Sequence, residues 1–282
     1  MRQFAVGSDY VQEFDGLADM VTFIETVPAS LVDSDPSYPA DWYGGLRTRQ
    51  DAFEMLHNGW GMGAERIRQL AQPLYGRIST RILRPAPYFD VTGETIDMNR
   101  YLSGDPETFI VWGESETEVA GSGHKIVSIA IDMCCSGFFS SEDFFQRGGP
   151  IAALVDLLEL SGRRVELSIV CVIGSTRGER ICKTIIPIKR AAEPYNPEQV
   201  AFAIAHVGMY RHLIFAAQCR TPQEIAQSFS FSGDGTMGHF NSRCNLDTVE
   251  ADVKVSGMEL GRVGNVERWL IDQLEAQGVI LD

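Results

Sequence analysis

Arginine side chains are concentrated in one part of an otherwise acidic sequence. Residues 47–84 contain seven arginines against three carboxylates, whereas the whole chain has a net charge of −14. Residues 1–46 and 89–118 each carry eight carboxylates against one base. Arginine suits phosphate recognition because its planar guanidinium presents several N–H donors in a fixed fork. The segment 47–84 therefore predicts a phosphate-binding surface that the net charge alone would conceal.

Part of this segment has the alternation of a β-strand. Residues 76–83 place β-branched side chains at every second position. A strand over 75–83 would place Tyr75, Arg77 and Arg81 on one face, because successive side chains point to opposite faces. An aromatic ring beside two cations is the combination that binds single-stranded nucleic acid. The predicted nucleic-acid-binding residues are Arg66, Arg68, Tyr75, Arg77, Arg81 and Arg84. The alternative is a solvated edge strand whose arginines pair with the neighbouring acidic stretches.

Residues that commonly catalyse reactions show no catalytic spacing. The five histidines follow neither H-E-x-x-H nor a Cys/His ligand pattern, and no G-x-S-x-G is present. The adjacent Cys134 and Cys135 have no identifiable base, and the other four cysteines are scattered, which predicts reduced, mostly buried thiols. Two glycine-rich segments, 174–179 and 232–238, lack the pattern of a phosphate-binding P-loop. We therefore expect a non-enzymatic protein that holds no cofactor.

The segment 124–174 predicts the centre of the fold. Residues 125–131 and 165–173 are nearly all-apolar runs rich in β-branched side chains. Between them a helix that is apolar nearly all round is expected from Pro150 to about Leu160. Two buried strands joined by a helical crossover indicate parallel strands covered on both faces.

The remaining pattern predicts one α/β domain over 109–282 and a helical and small-β region over 1–108 that packs beside it. Helices are predicted over 9–24, 50–57, 64–72, 197–206 and 266–277, and further strands over 109–112, 180–188 and 213–217.

Asp132, Cys134 and Ser136 follow the first central strand and precede the helix. This arrangement resembles the D-x-S-x-S motif of von Willebrand A domains, in which a carboxylate and two hydroxyls hold magnesium. The order of strand, crossover helix and following strands is also similar, so the predicted sheet is Rossmann-like or von Willebrand A-like, with flanking helices. Here a cysteine replaces the middle serine, and Mg²⁺ prefers oxygen ligands. We therefore expect no metal, and we expect Asp132 to cap its own loop.

Four phenylalanines crowd the loop that follows, at positions 138, 139, 144 and 145. They could form an exposed interaction patch, stack on bases, or form a satellite core under the loop. The last arrangement is the commonest for such a cluster.

Residues 45–72 resemble a segment of an uncharacterised family from tailed phages and prophages, in which an N-G-W-x-x-G turn joins two helices. In this chain the turn runs from Asn58 to Gly63. Stretches within 90–106 and 147–166 also fit that family. The resemblance implies a phage origin and no particular activity. The chain is also similar in size and acidity to the single-stranded-DNA-binding transcription cofactors of lytic podoviruses.

These observations lead us to expect a phage-encoded, non-enzymatic accessory protein that binds DNA, single-stranded DNA in particular, and assists phage transcription or replication. Its acidic surface would contact a phage RNA polymerase or replication protein. The alternative is a protein-interaction adaptor with a degenerate von Willebrand A-type metal loop, serving a phage ATPase or virion assembly. No apolar stretch approaches the ~20 residues that span a bilayer, so we expect no membrane contact and a location in the host cytoplasm. The sequence leaves self-association open.

Overall fold

The structure is a computed structural model that describes residues 1–26, 39–78, 81–93, 95–118, 125–134, 139–174, 181–221, 246, 249–256, 264–279 and 281. In this part of the chain the strands are β1 (Arg2–Val6), β2 (Asp9–Glu13), β3 (Arg81–Asp90), β4 (Thr95–Ile96), β5 (Phe109–Glu118), β6 (Ile126–Asp132), β7 (Arg164–Gly174), β8 (Ile181–Lys189) and β9 (Val253–Ser256). The α-helices are α1 (Leu17–Ile24), α2 (Arg49–Asn58), α3 (Gly61–Tyr75), α4 (Met98–Leu102), α5 (Ser141–Leu160), α6 (Pro197–Ala205), α7 (Phe215–Cys219) and α8 (Val266–Ala276).

A six-stranded mixed sheet, in the order β1-β2-β8-β7-β6-β9, forms the centre of the protein. β6 runs parallel to both β7 and β9, and β2 runs parallel to β8. The pairs β1–β2 and β7–β8 are antiparallel. The predicted α/β class, with helices flanking the sheet, is therefore confirmed.

The helix α5 makes the predicted crossover between the parallel strands β6 and β7. It begins at Ser141, so Pro150 lies inside the helix and not at its start. The Ser140 hydroxyl accepts a hydrogen bond from the Asp143 N–H (3.1 Å), and the Asp143 carboxylate accepts one from the Ser140 N–H (2.9 Å). This reciprocal pair satisfies two N–H groups that the first turn leaves without helical partners. The capped start explains why the helix extends well before the apolar run.

Apolar side chains pack on both faces of β6 and β7. On one face Ile129 and Ile169 join the large cluster formed with the helices. On the other face Ala130, Val170 and Leu246 belong to a smaller cluster. Burial on both faces is the property that the two apolar runs predicted.

The predicted helix over 9–24 is wrong in its first half. Residues 9–13 form β2, which lies between β1 and β8, and α1 starts only at Leu17. Tyr10, Val11 and Gln12 are all buried. Three consecutive buried residues are typical of a strand inside a sheet and not of an amphipathic helix. Because β1 and β2 join β8, the sheet includes strands from both sides of the predicted division at residue 108.

The predicted strand over 75–83 is also wrong at its start. The helix α3 continues through Pro73 to Tyr75, and β3 begins at Arg81. An apolar stripe at three- and four-residue spacings keeps this segment helical: Ala64, Ile67, Ala71 and Leu74 are all buried. Tyr75 and Arg81 therefore do not share a strand, and the alternation predicted for this segment does not apply.

The predicted strand over 213–217 is helical. Residues 209–214 form a π-helical turn that leads into α7. Every residue from 209 to 218 is buried. The apolar run 213–217 therefore has no exposed polar side, and its hydrophobic pattern does not distinguish a helix from a strand. The helices predicted near 50–57, 197–206 and 266–277 are confirmed.

A separate three-stranded sheet has the order β3-β5-β4, with both pairs antiparallel. Its edge strand β3 contains Pro85 and Pro87, which lack the N–H donors that another strand would need. The short helix α4 follows β4, and the Asp97 carboxylate caps it by accepting from the N–H groups of Asn99 (2.9 Å) and Arg100 (3.1 Å). The Arg100 guanidinium lies 3.9 Å from the centre of the Phe89 ring, which fixes the inner side of α4 against β3.

No single described helix is long and apolar enough to cross a membrane; one bent pair, 197–205 with 209–218, meets the requirement by length and composition only.

Candidate functional site

Two of the predicted DNA-binding arginines project from α3, two residues apart and therefore towards different sides of the helix. The Arg66 guanidinium lies 3.6 Å from the centre of the Phe145 ring and donates to both carboxylate oxygens of Glu142 at 2.8 and 2.9 Å. Arg68 pairs with Glu65 one turn earlier on the same helix. The ring beneath Arg66 restricts its side chain, so this guanidinium is held in place by packing as well as by charge.

Tyr75 and Arg77 lie at the carboxyl end of α3. The Tyr75 hydroxyl donates to the Asp156 carboxylate on α5. Burial and the neighbouring Asp156 raise the pKa of Tyr75 above its usual range. Arg77 is 3.8 Å from the Glu267 carboxylate at the start of α8. The Tyr75 ring therefore ties two helices together at its hydroxyl end, which limits its use for base stacking.

The two remaining predicted residues belong to β3. Arg81 lies opposite Glu118 in the strand register, and Arg84 lies opposite Ser115. Their side chains lie outside the described set. Since the two positions differ by three residues, they occupy opposite faces of the strand. The structure thus places Arg66, Arg68 and Arg77 along α3 and its end, and does not continue them as one face into β3.

The α3 arginines keep much of their surface in water. The exposed fractions of the side chains are 43% for Arg66, 55% for Arg68 and 42% for Arg77. Their carboxylate partners are each at least half exposed as well. Exposed ion pairs of this kind typically contribute ~0–1 kcal/mol. A phosphate can therefore replace the carboxylates at small cost, and we call these three side chains the α3 arginine surface.

The Asp132 loop is a buried turn. Asp132 is 4% exposed, and its carboxylate accepts a hydrogen bond from the Cys134 N–H at 2.8 Å. The expectation that Asp132 caps its own loop is confirmed. Burial raises the pKa of the Asp132 carboxyl to about 6, although the N–H groups of Cys134 and Val172 favour its charged form. Cys135 and Ser136 lie outside the described residues, and the described part of the chain contains no group of three potential ligands that would hold a metal ion.

The position of Asp132 is one where open α/β sheets usually bind ligands. β6 lies between β7 and β9, and crevices form outside the carboxyl ends of strands at such a point. Here the cavity beside Asp132, which Phe144 and Arg147 also line, measures about 10 Å³. That volume holds about one water molecule. No small molecule fits this cavity as it stands.

The aromatic loop is mainly core. Phe144 and Phe145 are 3% and 5% exposed, and the Arg147 guanidinium lies 3.6 Å from the centre of the Phe139 ring. Phe138 lies outside the described residues. Phe144 and Phe145 are buried, as the core interpretation predicted, but they belong to the main hydrophobic cluster and not to a satellite core. They are unavailable for stacking on bases.

The N-G-W-x-x-G turn is a packing device between α2, α3 and α6. Gly59 has φ +87°, and a Cβ there would lie 2.5 Å from Glu198 Cβ. The Trp60 indole lies directly over Gly63, where a Cβ would come within 2.0 Å of the ring. Its edge also meets the His206 ring, with centroids 4.7 Å apart. Burial lowers the pKa of His206 to about 4, so this imidazole is neutral at physiological pH and serves packing. Close packing between helices therefore explains why the motif has these glycines and this tryptophan, without a ligand.

Two open clefts flank α1 and were not foreseen from the sequence. Their volumes are about 540 and about 600 Å³, and they share Leu17, Ala18 and Gln199. Volumes of this size fit small ligands. Their walls come from α1, α2 and the segment 187–200, which are far apart in sequence, so no local motif marks them.

The comparison with family models decides the affiliation of the chain. The model described as "Domain of unknown function (DUF7192)" matches residues 4–279. The chain belongs to the DUF7192 family. No curated protein and no solved structure matches it significantly. The matched residues include both the α3 arginine surface and the Asp132 loop. The family description assigns no activity to them.

The DUF7192 chain also exposes an apolar surface that sequence analysis missed. Met98, Tyr101 and Leu102 of α4 are 58%, 59% and 76% exposed. Their spacing of three and four residues places them on one side of a helix. That spacing and the Asp97 cap were both visible in the sequence, but the same pattern ordinarily marks a buried face.

Proposed function

We propose that this DUF7192 chain is a phage-encoded, non-enzymatic accessory protein that binds single-stranded DNA and assists phage transcription or replication. The observation that carries the proposal is the α3 arginine surface: three exposed guanidiniums on one helix and its end, in a chain of net charge −14. The phage origin rests on the resemblance of residues 45–72. A partner such as a phage RNA polymerase or replication protein would contact the acidic surface.

The geometry of α3 suits a flexible strand. An α-helix rises about 1.5 Å per residue, so Arg66 and Tyr75 are separated by about 13 Å along the axis. Single-stranded DNA is flexible enough to reach cations on different sides of the helix with its phosphates, and the binding would be salt-dependent and tolerant of sequence. The affinity comes from phosphates in this arrangement, because the Tyr75 hydroxyl is committed to Asp156.

The first test replaces arginines without reversing charge. Arg66→Gln, Arg68→Gln and Arg77→Gln are made singly and together, and a labelled single-stranded oligonucleotide is titrated at several salt concentrations. Each phosphate contact contributes ~0.7 to the slope of log K against log salt, so the triple variant should reduce the slope by about 2. Arg2→Gln is the matched control, since Arg2 is an exposed arginine paired with Glu13 on neighbouring strands.

The second test frees the arginines from their partners. Glu142→Gln removes the carboxylate that holds Arg66, and Glu13→Gln removes the same charge beside Arg2. An exposed pair contributes ~0.2–1 kcal/mol, so Glu142→Gln should strengthen DNA binding about 1.4- to 5-fold relative to Glu13→Gln. The proposal fails if the parent protein does not bind the oligonucleotide at low salt. It also fails if the α3 variants behave like their controls.

A further inference from the structure

The first strand of the central sheet has a neighbouring strand on one side only. β1 stands at the end of the order β1-β2-β8-β7-β6-β9, and all five of its residues are exposed. In the described part of the chain, no other strand pairs with its outer edge. The backbone N–H and C=O groups along that edge can therefore pair with another chain.

The hydrogen bonding of β2 determines which backbone groups of β1 point outward. The Phe14 N–H, just after β2, donates to the Ile185 carbonyl of β8 at 3.0 Å. Because successive residues of a strand bond to opposite sides, the odd-numbered residues of β2 bond to β1. In the register of the two strands, these residues are aligned with the even-numbered residues of β1. The N–H and C=O groups of Gln3 and Ala5 therefore point away from β2.

β1 lacks the features that usually prevent edge strands from pairing. It contains no proline, lysine or bulge, and the guanidinium of its one charged residue, Arg2, is paired with Glu13 at 2.9 Å. The edge of the small sheet is different, because β3 contains Pro85 and Pro87. The chain therefore protects one sheet edge from pairing and leaves the other open.

The sequence of β1 is complementary to a second copy of itself. If two β1 strands run antiparallel about a two-fold axis at Phe4, Gln3 of each copy lies opposite Ala5 of the other. These residues have the outward backbone groups, so each pair exchanges both of its hydrogen bonds. Phe4 then lies beside Phe4 of the second copy, at the close spacing of a non-hydrogen-bonded pair, and Arg2 lies opposite Val6. This register places no like charges opposite each other.

The same contact would cover apolar surface that β1 exposes. Phe4 and Val6 lie on one face of the strand and are 41% and 55% exposed. Phe4 is aligned with Val11 of β2, which is 9% exposed. In the pair of strands, Val11 and Phe4 of each copy would form an apolar row across the two-fold axis. Cross-strand pairs of aromatic side chains stabilise sheets.

We propose that β1 pairs with β1 of a second copy of this chain and joins two six-stranded sheets into one across a two-fold axis at Phe4. The partner is a second copy because the antiparallel register matches the outward backbone groups of β1 with one another. A contact of one short strand is small compared with standard interfaces, so the dimer exchanges with monomer and depends on protein concentration. This inference does not depend on DNA binding, because none of the α3 arginines takes part.

Sedimentation of the full chain over a range of concentrations measures the dimer. Ala5→Pro removes the outward N–H and leaves the bonds to β2 in place, since proline is tolerated on an edge strand where the N–H faces solvent. This variant should weaken dimer formation by at least about tenfold, because each copy loses a hydrogen-bond donor at the contact. Ala5→Thr keeps the N–H and is the matched control.

Phe4→Lys is a second variant, which serves if Ala5→Pro unfolds the protein. It places two ammonium groups opposite each other at the axis and should also give monomer. Ile126→Lys is its control, because Ile126 is an apolar strand residue that is 51% exposed on β6. Added salt should strengthen the parent dimer, because two chains of net charge −14 repel each other.

A crosslink tests the register. Mild oxidation of Phe4→Cys should join two copies through this position, as peptide mapping can show, whereas Val6→Cys, opposite Arg2 in the pair, should not link to itself. The proposal is overturned if the parent is monomeric at every concentration, or if Ala5→Pro and Phe4→Lys dimerise like their controls. Failure of Phe4→Cys to crosslink, a crosslink through Val6→Cys, or a dimer that salt dissociates would equally contradict it.

Discussion

Ionisation of Asp132 should lower the stability of the fold as the pH rises from about 4 to about 6. Burial raises the pKa of this carboxyl from 3.8 to about 6 in the folded protein. Between these two values the folded protein binds one more proton than the unfolded chain. The stabilising effect of the protonated Asp132 carboxyl is therefore fully present below pH 3.8 and is lost as the pH rises through about 6. One unit of pKa corresponds to about 1.4 kcal/mol, so the difference between the two pKa values corresponds to about 3 kcal/mol in the free energy of unfolding.

The perturbation that isolates this effect is Asp132→Asn. The amide keeps an oxygen that can accept the hydrogen bond from the Cys134 N–H, and it does not titrate. Urea unfolding of parent and variant is measured at half-unit intervals from pH 4 to pH 8. The free energy of unfolding of the variant, minus that of the parent, should increase by about 3 kcal/mol over this range. Taking the difference cancels the titration of all other groups.

Asp252→Asn is a control of opposite sign. The Asp252 carboxylate accepts hydrogen bonds from the N–H (2.8 Å) and hydroxyl (2.7 Å) of Ser128, and the backbone bond in particular lowers its pKa. Its stabilising effect is present above pH 3.8 and is lost as the pH falls through its folded value. This variant should therefore show no change between pH 5 and pH 8. A constant difference between Asp132→Asn and the parent across the whole range would refute the reasoning on Asp132.

Three further outcomes are expected. Gly148→Ala should unfold the protein or cost several kcal/mol of stability, because its Cβ would lie 1.8 Å from the Ile204 carbonyl oxygen. A Cβ at Gly149 would meet only side-chain atoms, at 3.2 Å or more, so Gly149→Ala should be far milder. Thermal melting of the two variants makes the comparison. Glu159→Gln should cost ~3–5 kcal/mol in urea unfolding, because it leaves the ammonium of Lys189, 2.7 Å away and 3% exposed, without its carboxylate; replacing both residues with apolar ones should recover much of the loss. EDTA should leave the melting temperature unchanged, and a magnesium-dependent rise of several degrees would contradict this.

The parts of the fold that the sequence predicted are those in which local pattern and tertiary environment agree. β6 and β7 pack apolar side chains on both faces, and few polar residues interrupt their apolar runs. The N-caps Asn196 and Asn265 each accept from a backbone N–H in the first turn of their helices, at 3.2 and 3.0 Å. These signals are contained within a few residues, so they can be recognised without knowledge of the rest of the chain.

The errors occur where a distant partner determines the structure. The strand β2 owes its existence to β8, about 170 residues later, and its own sequence also fits a helix. Alternating β-branched residues predict a strand over 75–83, but burial of Leu74 and the hydrogen bond from the Tyr75 hydroxyl to Asp156 favour continuation of α3. Local propensity is a weak prior when tertiary packing opposes it.

The difference between local sequence signals and distant partners also applies to the α3 arginine surface. The clustering of arginines within 47–84 is a property of the sequence, but their environment is not: Arg66 meets Glu142, and Arg77 meets Glu267, at separations of 76 and 190 residues. A phosphate contact at Arg66 or Arg77 must therefore displace a carboxylate that belongs to another helix. DNA binding and the packing of α3 against α5 and α8 become linked, since the acids that restrain the arginines also join these helices. Glu142→Gln tests that linkage directly, because loss of this carboxylate should loosen the helix contact slightly and strengthen DNA binding at the same time.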